Sequence, residues 1–109
     1  NNTYYLEHCA VSDPAIADFI VAYKEEYNQD ADSFSILGYD AALLLLTAIE
    51  KAQSTESDKI KAALESLTDF EGISGTFIID PETHNPRKRA AVIKCEDGKK
   101  VFETRVNPQ

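Results

Sequence analysis

The stretch from Phe34 to Ala52 is the most apolar part of the chain, and it constrains the fold more than any other feature. It reads FSILGYDAALLLLTAIEKA, and its main polar interruptions are Asp40, Thr47, Glu50 and Lys51. Because nearly every other position is aliphatic, aromatic or alanine, the stretch predicts a helix that is apolar on almost all sides. Such a helix belongs inside a protein. It is poorly suited to a bilayer, since a span needs about 20 mostly apolar residues and Asp40 would lie within it.

The composition indicates a soluble globular protein of one-domain size, with 109 residues, 43% hydrophobic and 28% charged. The formal net charge of -8 argues against nucleic acid or an anionic membrane as a partner, because both would repel the chain. The basic cluster Arg87-Lys88-Arg89 is interpreted as a solvated turn. The chain contains no methionine, so we expect a processed product or a fragment.

Periodicity and turn residues predict helices in the middle of the chain and strands at both ends. Phe70–Gly75 is interpreted as a bend, Asp80–Arg87 as a turn, and Asp97-Gly98 as the turn of a hairpin. The predicted elements are a strand at Thr3–His8, a helix from Pro14 to about Tyr27, the apolar helix ending near Gln53, a third helix carrying Ile60 to Leu67, and strands at Thr76–Ile79, Ala90–Cys95 and Lys100–Val106.

Polar residues at the predicted helix starts indicate how each helix is capped. Asp13 or Ser12 is expected to cap the first helix, and Ser35 the second. A capping box from Thr55 to Asp58 is expected at the third.

These elements do not add up to a complete domain. Three consecutive helices, one of them apolar all round, lie between a lone strand and a terminal hairpin, and no repeated strand–helix–strand unit supplies a sheet to bury them. The sequence therefore predicts one part of a larger α/β fold.

Short motifs in a fixed order resemble a known family. They are Asp13-Pro14-Ala15, Tyr23-Lys24-Glu25-Glu26-Tyr27, Gly38-Tyr39-Asp40-Ala41, Ala48-Ile49-Glu50-Lys51-Ala52, Phe70-Glu71-Gly72-Ile73-Ser74-Gly75-Thr76, Asp80 and Asp97-Gly98-Lys99. Over essentially its whole length the chain is similar to the C-terminal third of the type I periplasmic substrate-binding proteins of ABC transporters, in the branched-chain amino-acid binding family.

The resemblance implies a segment of a fold in which two α/β lobes close on a ligand. Residues 1–10 would then be a strand of the second lobe, 14–80 three helices and a strand of the first lobe, and 90–109 a terminal hairpin of the second. Hinges are expected near 9–13 and 81–89.

The resemblance also implies a function: an extracytoplasmic, non-enzymatic protein that binds an amino acid, branched-chain or similarly small, for an ABC permease, without a cofactor. A ligand-sensing receptor domain of the same fold and a small self-contained interaction module remain alternatives. Most ligand-binding residues would precede this segment, and Phe34 is the single candidate within it; its other interpretation is an aromatic that anchors the loop. The isolated segment is expected to self-associate or to need the missing upstream part.

Other polar clusters are interpreted as structural. Glu7-His8-Cys9 cannot converge on a metal from one strand, because neighbouring side chains point to opposite faces. A cation bound by Asp80, Glu82 and His84 is disfavoured by the prolines around them. We therefore expect no metal site and, with no nucleophile motif, no catalytic residue. Tyr39 is expected to have its hydroxyl bonded, and Asp40 to lie in the first turn of its helix.

The two cysteines leave one covalent link open. In the family arrangement Cys9 and Cys95 both belong to the second lobe, so a disulfide between them is possible in an oxidising compartment. Reduced thiols are the alternative.

Overall fold

The computed structural model describes residues 2–108. Three helices, α1 (Ala17–Tyr27), α2 (Ser33–Ala52) and α3 (Ser57–Glu65), are flanked by strands, and a one-turn 3-10 helix at Pro14–Ile16 leads into α1. The strands are β1 (Thr3–Glu7), β2 (Phe70–Gly72), β3 (Gly75–Ile79), β4 (Pro86–Lys88), β5 (Ala90–Glu96) and β6 (Lys99–Val106). Asn1 and Gln109, the outer ends of two predicted segments, lie outside the described residues.

The strands form two antiparallel sheets that divide the chain into two parts. One sheet has the order β1-β5-β6, so the first strand of the chain pairs with the terminal hairpin. The other has the order β2-β3-β4 and lies beside α2 and α3. A single residue, Arg89, separates β4 from β5, and the chain passes there from one sheet to the other.

Helix starts agree with the sequence for α1 and differ for the other two. The Asp13 carboxylate accepts a hydrogen bond from Ala15 N at 3.0 Å, as expected. For α2 the cap is Asp32 and not Ser35, which instead occupies the third helical position and completes a capping box with it. The predicted capping box at α3 is wrong, because the N-cap there is Glu56 and makes no side-chain cap.

Two short strands were missed from the sequence. Phe70–Gly72 belongs to a hairpin with β3 and is not a simple bend, and the buried rings of Phe70 and Phe77 lie across it with centroids 5.0 Å apart. Pro86–Lys88 pairs with β3 as an edge strand. A proline is tolerated there because its missing backbone N–H is not needed for a hydrogen bond inside the sheet. Strands of three residues are too short to show a period of two.

A bulge in β6 changes which residues face inward. Val92 pairs with Thr104, but the next residue, Ile93, pairs with Phe102, so Glu103 is the extra residue. Phe102 and Arg105 therefore share the covered face of the sheet, opposite Ile93 and Ala91. The simple alternation of Phe102, Thr104 and Val106 expected from the sequence is interrupted, because Thr104 and Val106 are exposed.

The apolar interior consists of two small clusters, and much of α2 lies outside both. One cluster joins Cys9, Ile16 and Ile36, and the other joins Ala10, Ala91 and Ile93. By length and composition α2 could cross a membrane, a test that the core helices of soluble proteins also pass. One face of α2, which we call the exposed α2 face, is open to solvent and consists of Phe34, Gly38, Ala41, Ala42, Leu45 and Leu46.

Candidate functional site

A cleft lies where the first strand of one sheet approaches the start of α2. Its volume is about 380 Å³, and Phe34 stands at its edge with 78% of its surface exposed. The lining comes from the end of β1, the first turns of α2 and the start of β5: Leu6, Glu7, His8, Ser33, Phe34, Leu37 and Ala90. Such exposure of a large aromatic is the opposite of what a loop anchor needs.

Contacts on both sides of Phe34 fix its position. Ser35 N donates to Asp32 Oδ1 at 2.8 Å, and Asp32 N donates to Ser35 Oγ at 3.3 Å, so the first turn of α2 is closed by a reciprocal pair. These hydrogen bonds lower the pKa of Asp32, and the backbone amide of Ser35 makes the largest contribution, followed by its side chain. The Cys9 thiol donates to Ser33 O at 3.7 Å, which ties the end of the first sheet strand to the same turn. The rim of the cleft is therefore built from both parts of the chain.

The cleft offers an apolar wall with a polar edge. Phe34, Leu6 and Leu37 supply apolar surface, and His8 supplies a polar side chain. The Glu7 side chain lies on the opposite face of β1 from Leu6, on the side of Tyr5 and Lys100. The Glu7 carboxylate lies 3.8 Å from Lys100 Nζ, a loose and partly exposed ion pair that leaves it able to accept from another cation. Chemically, this arrangement suits non-covalent binding of a small ligand with an apolar part.

A buried polar network holds α2 against the β2–β3 turn. The Asp40 carboxylate is 3% exposed and accepts hydrogen bonds from Ile73 N at 2.7 Å, Ser74 N at 3.0 Å and the Ser74 hydroxyl. Lys88 Nζ donates to Ser74 Oγ at 2.6 Å. Burial lowers the pKa of Lys88, and the negative charge of Asp40 partly offsets this effect. The network joins α2, the turn and β4 at the junction of the two sheets.

A second set of contacts joins the chain before α1 to the end of β6. The Arg105 guanidinium pairs with the carboxylate of Asp13, which is 8% exposed. Phe102 N donates to Ser12 Oγ at 3.0 Å. The segment between β1 and α1 is thus fixed to the terminal hairpin as well as to the helix that it starts.

The two cysteines are free thiols, in contrast to the disulfide considered from the sequence. Thr3, at the start of β1, pairs with Cys95, whereas Cys9 follows the opposite end of that strand. The Cα atoms of a disulfide lie within about 7 Å of each other, and a strand of five residues already spans roughly 15 Å. Cys9 is instead buried, and burial raises the pKa of its thiol.

The other candidates from the sequence are held apart in structural roles. The Asp80 carboxylate accepts from Glu82 N at 2.9 Å and Thr83 N at 3.0 Å, and pairs with Arg87 at 2.9 Å. His84 Nε2 lies 3.0 Å from Glu65 Oε1. Within residues 2–108 no cluster of three acidic, histidine or cysteine side chains could hold a metal.

Three expectations about individual side chains need correction. Asp40 lies well inside α2 and not in its first turn, and its partners are 33 and 34 residues away. Tyr39 is half exposed and packs edge-on against Phe19, with ring centroids 5.2 Å apart, and the described residues give its hydroxyl no hydrogen bond. Lys88 is partly buried, so the basic cluster is not simply a solvated turn.

The residues that make these long-range polar contacts were missed from the sequence. Ser74, Lys88 and Arg105 each meet a partner distant in the chain, which no local pattern encodes. The available signals were Asp40 within an apolar helix, which must find buried donors, and the two glycines around Ser74.

The chain is similar to known proteins both in sequence family and in structure. A family model described as periplasmic binding protein matches residues 2–100. The leucine binding protein LivK from Thermotoga maritima MSB8 is 34% identical with a TM-score of 0.77, covering 96% of this chain and 31% of that one. An ABC transporter substrate-binding protein from Desulfitobacterium hafniense, in complex with Leu, is 26% identical with a TM-score of 0.70, covering 91% and 29%.

A structure with lower sequence identity shares the same fold. A solute binding protein of an ABC transporter from Rhodopseudomonas palustris BisB5, in complex with 3,4-dihydroxy benzoic acid, is 22% identical with a TM-score of 0.81, covering 96% of this chain and 31% of that one. No curated protein matches this chain. The chain spans 29–31% of the length of these solved structures.

Proposed function

Because the chain belongs to the periplasmic binding protein family, we propose that it forms part of an extracytoplasmic protein that binds a small solute and delivers it to an ABC permease. The family resemblance seen in the sequence and the α/β segment predicted from it are confirmed by the family model and the solved structures. The Desulfitobacterium hafniense relative is a substrate-binding protein of an ABC transporter, which supports transport over sensing.

We propose an amino acid, branched-chain or of similar size, as the ligand of the complete protein. The observation that carries this proposal is the 34% identity to a leucine binding protein over 96% of the chain. The Phe34 ring adds apolar contact for an aliphatic side chain.

Two connections between the sheets are proposed as hinge segments, near 9–13 and 81–89. The sheet of β1, β5 and β6 would belong to one lobe, and α1 to β4 to the other. Because residues 86–88 pair with β3, Arg89 is the residue of the second proposed hinge segment that connects the two sheets. Closure would then change the distance between Phe34 on α2 and Glu7 on β1, the two sides of the cleft.

Calorimetry on the complete protein tests the ligand. The panel contains leucine, isoleucine, valine, a polar amino acid, benzoate and 3,4-dihydroxybenzoate, and an aliphatic amino acid is expected to bind most tightly. Binding of the benzoates alone would refute the amino-acid ligand and keep the solute-binding role. No binding to any member would count against the proposal as a whole.

A pair of variants tests Phe34 as a ligand contact. Phe34→Ala should weaken binding roughly ten- to hundredfold, because burying an aromatic ring contributes about 1.5–3 kcal/mol. The matched control is Tyr27→Ala, since Tyr27 is also an exposed aromatic, 61% exposed, but lies outside the cleft. Equal affinities for the two variants would remove Phe34 from the binding site.

A further inference from the structure

A second, smaller cavity of about 230 Å³ lies on the junction of the two sheets. Ser74, Gly75 and Thr76 form one wall, from the β2–β3 turn and β3, and Arg89 and Arg105 form the other, from the crossing segment and β6. It shares no lining residue with the cleft at Phe34. We propose that this cavity binds a small inorganic oxyanion, phosphate or sulfate. This ion would bind in addition to the solute proposed for the cleft at Phe34.

The end of a strand ladder creates the cavity. β3 and β4 pair as far as Phe77 and Lys88, so Thr76 and Arg89, the next pair by register, are not ladder partners. Gly75 is in a left-handed conformation, with φ +129°, and no atom lies within 4 Å of the position that a Cβ would take. A gap is therefore left beside backbone and hydroxyl groups at the start of β3.

The charge around the gap favours an anion although the chain as a whole carries -8. The cavity lining contains two cations, Arg89 and Arg105, and no carboxylate. Glu71 lies next to the lining as the strand partner of Thr76, and the two buried carboxylates nearby are Asp13 and Asp40. Both carboxylates are already satisfied, Asp40 by three donors and Asp13 by Ala15 N and Arg105. Of the two arginines in the lining, Arg105 pairs with Asp13, whereas the side chain of Arg89 has no acceptor among residues 2–108.

Donors remain for a ligand. Arg89 makes no hydrogen bond or ion pair within residues 2–108. Arg105 uses one terminal nitrogen, Nη2, for Asp13, and a guanidinium carries five N–H donors. Two arginines that converge on one space are the usual protein partners of phosphate and sulfate, because their planar forks match the oxygens of these ions.

The volume selects a small ion over an organic ligand. Pockets for drug-sized ligands occupy about 300–1,000 Å³, and 230 Å³ holds one oxyanion with a few waters, at roughly 30 Å³ per water. A bound ion would contact β3, the crossing segment and β6 together. It would therefore strengthen the contact between the two sheets.

The test titrates sulfate, phosphate and acetate into the complete protein at constant ionic strength, with chloride as the balancing anion. Calorimetry should show one saturable site for sulfate or phosphate, and acetate should bind at least tenfold more weakly. Binding of phosphate but not sulfate, or the reverse, identifies the ion. Absence of saturable binding for both at millimolar concentration would overturn the proposal, as would equal binding of acetate.

Two substitutions within the basic cluster separate a built site from general charge attraction. Arg89→Gln should weaken oxyanion binding at least tenfold. The matched control Arg87→Gln removes the same charge two residues away, where the guanidinium pairs with Asp80, and should change binding less than twofold. Equal losses in both variants would overturn the proposal, and circular dichroism melting confirms that each variant is folded. Neither result depends on the amino acid bound at Phe34.

Discussion

Asp40 shows how one charged residue organises the middle of the chain. It is 3% exposed in the most apolar helix, and three donors from Ile73 and Ser74 satisfy its carboxylate. A buried carboxylate without such donors would be strongly destabilising, so the helix and the turn must meet in one register. Gly72 is required by the same contact, because a Cβ there would lie 2.6 Å from the Asp40 carboxyl group.

Gly72→Ala should therefore destabilise the complete protein by about 1–3 kcal/mol, the usual cost of overpacking a site that cannot yield. The carboxylate cannot move aside without losing its hydrogen bonds. Urea unfolding measures the change in the free energy of unfolding. The control is Glu71→Ala on the same strand, which is exposed and should stay within about 0.5 kcal/mol of the wild type. A Gly72→Ala protein as stable as this control would contradict the close contact.

At the scale of elements, the sequence predicted well what is local. Helix α1 and the β5–β6 hairpin follow from the Asp13-Pro14 start, the apolar spacing and the Asp97-Gly98 turn. β2 and β4 escaped prediction because three residues cannot display a period. The bulge at Glu103 escaped because it depends on the partner strand.

The β3–β4 turn is another local device, centred on Asp80. Its carboxylate accepts from Thr83 N and Glu82 N and pairs with Arg87, and these contacts lower its pKa below the ordinary value of 3.8. A carboxyl group with a lowered folded-state pKa stabilises the protein above its unfolded-state pKa. That contribution is lost as pH falls through the folded-state value.

Asp80→Asn isolates the charge, because an amide oxygen still accepts from the two backbone amides. The variant should be less stable than the wild type at neutral pH, and the difference should close as pH falls below 3.8 and through the lower folded-state pKa. Thermal melts of the complete protein across that range measure it. Glu82→Gln, exposed in the same turn, is the control and should show little difference at any pH. A gap that widens on acidification would contradict the assigned sign.

At the scale of the whole molecule, the chain is flat. Its extents are 49 × 37 × 16 Å and its radius of gyration is 15.8 Å, whereas a compact chain of about 100 residues measures about 13 Å. The sequence predicted one part of a larger fold, because its elements did not add up to a domain, but it did not predict this shape. The cleft was less predictable from the sequence. Only Phe34 was named, through the family resemblance, because the other walls of the cleft come from β1 and β5, which are far from Phe34 in the chain.

The exposed α2 face leads to a prediction for the 109-residue chain by itself. Phe34, Leu45 and Leu46 are 78%, 47% and 63% exposed, and with the alanines between them they form one continuous apolar strip. We expect the isolated chain to self-associate so that this strip is covered, and not to bind the ligand with the affinity of the complete protein. Light scattering after size-exclusion chromatography measures the mass, and a stable monomer at micromolar concentration would show the expectation to be wrong. Leu46→Gln should shift the chain towards monomer, because it places a polar amide at one of the most exposed apolar positions of the strip. Val21→Gln is the matched control: Val21 is 57% exposed on α1 but lies outside the strip, so its replacement should leave the association unchanged.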